Sequence, residues 1–122
     1  MAGPVRVLVV DDQAVVRDAA RLLLEATPDF RPVGEAGSGV EALAAIEKLE
    51  PDLVLLDVRM PDMDGIETAQ RIRATRRRTV VVLMSSDRIE STLKCGAAAF
   101  LPKERLKAAV LRELWAQHAP LR

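Results

Sequence analysis

The sequence predicts an α/β protein built on a doubly wound, five-stranded parallel sheet with helices on both faces. Three nearly unbroken runs rich in Val and Leu are typical of strands buried on both faces: Val7–Val10, Leu53–Leu56 and Val80–Met84. Segments with helical spacing of apolar residues separate these runs. Because strands and helices alternate along the chain, right-handed crossovers are expected to place helices on both sides of the sheet.

The first predicted helix follows the strand Val7–Val10 and stops before Pro28. Its apolar stripe comprises Val15, Ala19, Leu22, Leu23 and Ala26. A weaker apolar run, Pro32–Ala36, is the second predicted strand. Ser38 and Glu41 then have the spacing of a capping box, so a second helix is expected to begin there. The apolar face of this helix consists of Val40, Leu43 and Ile46.

Three further helices are predicted after the third, fourth and fifth strands. We expect Asp64 and Gly65 to form the turn that opens the third helix, because glycine tolerates left-handed conformations. The fourth helix is short and ends at Gly96, a predicted C-cap, and the weaker run Ala97–Leu101 is the fifth strand. The apolar stripes of the three helices are, in order, Ile66, Ala69 and Ile72, then Ile89 and Leu93, then Leu106, Val110, Leu111, Leu114 and Trp115.

The length of 122 residues fits one domain, for which we expect an ordered core of about residues 5–118 and a tail or linker start at residues 119–122. Eighteen basic residues balance eighteen acidic ones, so no global field favours nucleic acid or an anionic membrane. No apolar run approaches the roughly 20 residues of a membrane helix. The N-terminus does not resemble a signal peptide, and the single cysteine, Cys95, fits a reducing compartment. We therefore expect a cytoplasmic protein.

Polar side chains stand at the predicted carboxyl ends of four strands. They are Asp11 and Asp12, then Asp57, then Ser85, and finally Lys103. Ligands of open parallel α/β sheets bind outside these strand ends. Two carboxylates about 4 Å apart repel each other by about 4 kcal/mol, and Mg²⁺, which prefers oxygen ligands, offsets that repulsion. A carboxylate beside Mg²⁺ and a lysine ammonium can act as a nucleophile toward a phosphoryl group, whose transfer needs positive charge.

The ordered set of these residues resembles the receiver domains of two-component response regulators. The resemblance runs over the full length, from Val7–Asp12 through the loop Asp57–Gly65 to Lys103. It implies a flavodoxin-like sheet with the strand order 2-1-3-4-5. Arg59, the Met-Pro-x-Met-Asp-Gly pattern of the loop and Glu104 after Lys103 are similar to receivers of the LuxR/NarL-type class, which precede a DNA-binding domain.

The resemblance implies that Asp57 is the phospho-acceptor, which takes a phosphoryl group from a histidine kinase or a small donor such as acetyl phosphate. It also implies Mg²⁺ as the cofactor, held by Asp12, Asp57 and the backbone carbonyl of Arg59. Asp11 would act on the metal through a bound water molecule. The domain itself is then no enzyme beyond self-phosphorylation and slow self-dephosphorylation.

Three further roles follow from the resemblance. Ser85 matches the hydroxyl switch position, Lys103 matches the lysine that pairs with the acceptor and then with the phosphoryl group, and Phe100 matches an aromatic rotamer switch. The expected partners are a histidine kinase and an output domain or downstream protein, through which transcription would be regulated. A homodimer on phosphorylation is compatible with this interpretation, whereas direct contact of this domain with nucleic acid or membrane is not expected.

Two features depart from the family pattern. The segment from Ser85 to Gly96 is about four residues shorter than expected, roughly one helical turn, which predicts a shortened fourth helix. Pro102, immediately before Lys103, removes a backbone donor at the end of the fifth strand and is expected to stiffen Lys103.

Two other functions compete with the phospho-acceptor. A Mg²⁺-dependent phosphohydrolase with an aspartyl-phosphate intermediate typically carries a second aspartate two residues after the nucleophile, and Arg59 occupies that place. An interaction module that works without phosphorylation is the other alternative, suggested by the shortened fourth helix. The intact acidic cluster and Lys103 favour the phospho-acceptor.

Overall fold

Strands and helices alternate in residues 3–86 and 96–120, the part of the chain that this computed structural model describes. The strands are β1 (Val5–Val10), β2 (Phe30–Ala36), β3 (Leu53–Asp57), β4 (Val80–Ser85) and β5 (Ala99–Pro102). The α-helices of the described residues are α1 (Ala14–Ala26), α2 (Gly39–Leu49), α3 (Gly65–Thr75) and α4 (Ala108–His118), with a short 3-10 helix at Lys103–Arg105.

The five strands form one parallel sheet in the order β2-β1-β3-β4-β5. This confirms the predicted fold class and strand order. The chain leaves β1 toward β2 on one side and later returns to β3 on the other, so the strand order reverses between β1 and β3. In the register of the sheet Val10 pairs with Leu56 and Asp57 with Met84, which aligns the carboxyl ends of three central strands.

Alternate residues of the central strands point to two separate cores, one on each face of the sheet. Val7 and Val9 of β1 belong to the core that α1 and α4 cover, whereas Leu8 and Val10 belong to the core under α2 and α3. The first core also contains Ala20, Leu24, Leu55, Met84 and Leu111, and the second contains Ala42, Ile46, Leu56, Ile72 and Leu83. Burial on both faces explains why these strands are almost continuous apolar runs.

The starts of α2 and α3 follow the sequence. The Ser38 side chain accepts a hydrogen bond from the backbone N–H of Glu41 at 3.1 Å, as the predicted capping box requires. The Glu41 carboxylate accepts a hydrogen bond from the N–H of Gly37 at 3.3 Å, whereas in a standard capping box it would accept from the N–H of Ser38. Asp64 caps α3 by accepting from the N–H of Glu67 at 2.8 Å.

Gly65 opens α3 as predicted, but for a different physical reason. Among the glycines of the described residues only Gly96 has a positive φ, so Gly65 is not left-handed. A Cβ atom at Gly65 would instead overlap the carbonyl oxygen of Asp57 and lie 2.8 Å from the Cα of Val58. Glycine is needed there because two backbone segments touch.

Several other predictions shift at the element ends. β5 begins at Ala99, later than the expected Ala97, and includes Pro102, which an edge strand tolerates. Leu106 precedes α4, because the chain first makes the 3-10 helix. Gly96 is left-handed at φ +90°, as a C-cap would be, but the predicted fourth helix with Ile89 and Leu93, including its shortening, lies outside the described residues.

None of the described helices is both long enough and apolar enough to span a bilayer.

Candidate functional site

The carboxyl edge of the sheet brings the predicted acidic residues together. Carboxylate oxygens of Asp11, Asp12 and Asp57 lie within 4.8 Å of one another. Lys103 completes the group: its Nζ lies 2.7 Å from Oδ2 of Asp11 and 3.4 Å from Oδ1 of Asp57. Parallel pairing produces this cluster, because every parallel strand ends at the same edge of the sheet.

Asp11 is fully buried and held from several directions. Its Oδ1 accepts a hydrogen bond from the backbone N–H of Gln13 at 2.9 Å, and its backbone carbonyl accepts from Nη1 of Arg17 at 2.7 Å. Arg17 is itself paired with Glu35 of β2 at 3.2 Å. Apart from the ion pair with Lys103, Oδ2 of Asp11 has no hydrogen-bond partner among the described residues. That oxygen therefore retains the capacity to accept another donor.

Asp57 is 5% exposed at the end of β3. Burial and the neighbouring charge of Asp11 raise the pKa of the Asp57 carboxyl, while Lys103 and the backbone N–H of Arg59 act in the opposite direction. The N–H of Val58 donates to the carbonyl of Met84 at 3.0 Å, which ties the backbone next to Asp57 to β4. Burial and the Asp11 charge outweigh the contacts with Lys103 and Arg59, so the ionised form of Asp57 is less favoured than that of an exposed aspartate.

Lys103 lies at the start of the 3-10 helix that follows β5. Burial alone lowers the pKa of the ammonium, but the carboxylates of Asp11 and Asp57 outweigh it, so the pKa is raised. Pro102, with φ −60°, directs the chain into this turn, and the carbonyl of Lys103 accepts from the N–H of Leu106 at 3.2 Å. The ammonium is therefore charged and directed toward both carboxylates.

The charges and donor atoms of the cluster fit a divalent cation such as Mg²⁺. Three carboxylates against one ammonium leave an excess of two negative charges. All three candidate ligands are hard oxygen donors, and Asp12 is exposed, so water molecules can complete a coordination shell. Oδ2 of Asp11, which is ion-paired with Lys103, has the capacity to accept a further hydrogen bond from such a water.

Ser85 and Phe100 occupy different positions relative to this cluster. Ser85 is buried at the end of β4, beside Pro102 of β5 in the sheet register. Phe100 is half-buried in β5, where it pairs with Leu83 and packs against the core under α2 and α3. The structure thus places Ser85 at the carboxyl edge with the acidic cluster and Phe100 within the apolar layer.

The roles of two residues near the site were not predicted from the sequence. Arg17 supports the backbone of Asp11, and Asp62 accepts from the backbone N–H groups of Gly39 and Val40 at 3.0 and 2.9 Å. These two N–H groups lower the pKa of the Asp62 carboxyl. The partners of Asp62 lie 23 and 22 residues earlier in the chain, so no local sequence pattern predicts the contact.

Comparisons with known proteins agree on one family. The family model described as "Response regulator receiver domain" matches residues 7–114. The signal receiver domain of the putative response regulator NarL from Mycobacterium tuberculosis superimposes with a TM-score of 0.83 at 36% identity, covering 93% of this chain and 98% of that one. A CheX-CheY-BeF3-Mg²⁺ complex from Borrelia burgdorferi gives a TM-score of 0.84 at 27% identity, covering 97% and 92%.

The curated relatives are longer than this chain. The nitrate/nitrite response regulator NarL of Escherichia coli K12 is 35% identical over 115 residues, which is 91% of this chain and 53% of that protein. A protein-glutamate methylesterase/protein-glutamine glutaminase of Nocardioides is 39% identical over 116 residues, 90% of this chain and 32% of that protein. The chain therefore spans from a third to about half the length of these relatives. With the family model covering almost its whole length, the chain belongs to the response regulator receiver domains of two-component systems, as its sequence predicted.

Proposed function

We propose that this chain is the phospho-acceptor module of a two-component signalling pathway, in which Asp57 takes a phosphoryl group from a histidine kinase with Mg²⁺ as cofactor. The observation that carries the proposal is the meeting of three carboxylates with the Lys103 ammonium at one sheet edge. Asp57 is the best acceptor of the three, because it ends the central strand β3, shares the cluster with both other carboxylates and lies 3.4 Å from the Lys103 ammonium.

In the proposed reaction an oxygen of Asp57 attacks the phosphorus of a phosphohistidine, the new O–P bond forms, and the N–P bond breaks with its electron pair returning to the imidazole. Asp12, Asp57 and the backbone carbonyl of Arg59 would hold Mg²⁺, with Asp11 acting through a metal-bound water. Bound Mg²⁺ supplies positive charge to the phosphoryl oxygens during transfer. Lys103, 3.4 Å from the acceptor, supplies a second positive charge from the protein itself.

Two residues are proposed to change their contacts or rotamer when Asp57 is phosphorylated. The hydroxyl of Ser85 would donate to a phosphoryl oxygen, and Phe100, in the neighbouring strand, would change rotamer in concert with it. Because a switch from a 1:99 to a 99:1 population needs about 5.5 kcal/mol of differential interaction, the charge-assisted bonds from Ser85 and Lys103 would have to provide a large share of it.

We propose one domain over residues 1–122, a cytoplasmic location, and an output through transcription by a further domain or partner. Arg59 and Glu104 favour a LuxR-type output, whereas the methylesterase relatives point to a catalytic second domain. Reading the codons that follow Arg122 separates the two, and a homodimer formed on phosphorylation is tested by sedimentation with and without beryllofluoride.

Labelling with acetyl phosphate and Mg²⁺ tests the central claim. We expect a base-labile phosphoryl group on the wild-type protein and none on Asp57→Asn. Asp29→Asn is a matched control, because Asp29 is an exposed aspartate before β2, away from the acidic cluster. Labelling that persists in Asp57→Asn overturns the assignment of the acceptor.

The alternative of a phosphorylation-independent interaction module makes a different prediction. A partner of such a module binds the apo protein and the beryllofluoride complex with the same affinity. The phospho-acceptor hypothesis requires the two affinities to differ, since a ligand shifts a conformational equilibrium only through differential binding.

A further inference from the structure

The loop of residues 58–64 connects β3 to α3 and carries Arg59, two residues beyond the acceptor. Both ends of this loop are fixed by backbone contacts. At its start the N–H of Val58 donates to Met84, and at its end the N–H of Gly65 donates to the carbonyl of Val58 at 2.7 Å. Gly65 closes directly onto the backbone of Asp57 and Val58. Between these ends the backbone N–H of Arg59 is bonded to the Asp57 carboxylate, and the residues after Arg59 carry a further attachment.

Asp62 provides that attachment. Its Oδ1 accepts from the N–H of Gly39 at 3.0 Å and its Oδ2 from the N–H of Val40 at 2.9 Å, so both carboxylate oxygens bind the first turn of α2. These are N–H groups that an α-helix leaves without internal partners, and the helix dipole favours a negative charge at this position. The N–H groups of Val40 and Gly39 lower the pKa of the Asp62 carboxyl, as donors to a carboxylate do.

Gly39, at the start of α2, also packs closely against Met63 of the loop and Thr68 of α3. A Cβ atom at Gly39 would lie 2.9 Å from the Cβ of Met63 and 2.7 Å from Oγ1 of Thr68. The N-terminus of α2 has its own cap in Ser38, which accepts from Glu41. The carboxylate of Asp62 is therefore an additional link between two crossover connections.

We propose that Asp62 is a positioning residue for the metal site: by fastening the middle of the loop to α2, it fixes the backbone of Arg59 where its carbonyl can serve as a metal ligand. The inference rests on the proposed function, because it assigns Asp62 a part in forming the Mg²⁺ site. Asp62 is not one of the proposed metal ligands, and its carboxylate binds α2 instead. It acts through the loop that lies between it and Arg59.

Magnesium affinity, measured by isothermal titration calorimetry on the full chain, tests this role. We expect Asp62→Ala to bind Mg²⁺ roughly tenfold more weakly, at the low end of the loss seen when a group that orients a metal ligand is removed. Asp62→Asn retains one acceptor oxygen and is expected to lie between Asp62→Ala and the wild type. A simple loss of negative charge would instead make the two variants equal.

Ser38→Ala is the matched control, because it removes a cap from the same helix without touching the loop. It should lower thermal stability about as much as Asp62→Ala, yet leave the Mg²⁺ affinity unchanged. Amide exchange of Gly39 and Val40 gives a second readout without metal, and we expect it to accelerate in Asp62→Ala.

The possible outcomes separate the two proposals. If the wild-type protein binds no Mg²⁺, the proposed function fails and the role of Asp62 fails with it. If the wild type binds Mg²⁺ and Asp62→Ala binds it equally well, only the role of Asp62 is overturned. Equal weakening in Ser38→Ala and Asp62→Ala also overturns it, because helix stability alone would then explain the effect.

Discussion

Replacing Lys103 by Met is expected to destabilise the metal-free domain, because the ammonium is the compensating charge for two buried carboxylates. Asp11 is fully buried and Asp57 is 5% exposed, so neither carboxylate can be solvated freely once Lys103 is gone. The lysine side chain itself is 18% exposed, which makes this a largely buried ion pair. Breaking such a pair by removing one partner costs about 3–5 kcal/mol.

The expected loss corresponds to a large change in thermal stability. In a domain of this size 1 kcal/mol shifts the melting temperature by about 4 °C, so Lys103→Met should melt about 12–20 °C lower. Urea unfolding followed by circular dichroism measures the same difference as a free energy. Methionine keeps most of the side-chain volume, so the loss of charge dominates the change.

Two additional measurements separate charge from packing. Lys107→Met is the matched control, because Lys107 is exposed and forms no ion pair with the described residues, and its stability should stay near that of the wild type. Saturating Mg²⁺ should reduce the gap between Lys103→Met and the wild type, since the cation replaces the missing positive charge. Because the pKa of Lys103 is raised, the ion pair stabilises the fold below the ordinary lysine pKa and is lost as pH rises through the raised value.

A Lys103→Met protein that is as stable as the wild type without Mg²⁺ would refute this reasoning. The three carboxylates would then have to be compensated by something other than the ammonium.

Three further predictions follow from the site and its surroundings. Asp57→Asn should raise the melting temperature of the metal-free protein. The pKa of Asp57 is raised, so its negative charge opposes folding at neutral pH. A lower melting temperature would contradict this. Gly65→Ala should lower the free energy of unfolding, measured in urea, by about 2–3 kcal/mol, because the new Cβ would overlap the Asp57 backbone. An unchanged urea midpoint would be incompatible with that contact. Ser85→Ala should still be labelled by acetyl phosphate but lose the beryllofluoride-induced amide shifts of β5; full shifts would remove Ser85 from the switch.

The sheet could be predicted from the sequence because its central strands are buried on both faces and therefore read as uninterrupted Val and Leu runs. The strand ends were less visible. β1 begins at Val5 although Arg6 interrupts the apolar pattern, because the backbone N–H of Arg6 donates to Asp52 and its guanidinium to the carbonyl of Glu50. β2 begins at Phe30, where it pairs with Val5, two residues before the weak run that marked it.

The acidic cluster could be predicted for a topological reason: parallel strands deliver their carboxyl ends to one edge, so a polar residue after each run is enough to locate it. The supporting contacts could not. Arg17 of α1 donates to the Asp11 carbonyl, and Asp62 binds α2 from a loop more than 20 residues away in the chain. Such contacts depend on how the crossover connections lie against each other, which strand periodicity does not specify.

The cluster draws Asp11 from the first strand and Lys103 from the turn after the last, with Asp57 from the middle of the chain. No contiguous fragment that ends before β5 contains the ammonium. During synthesis at the ribosome the acidic edge therefore exists for some time without its internal counter-ion. The charges at this edge are paired only when the final strand has docked and brought Lys103 to Asp11 and Asp57.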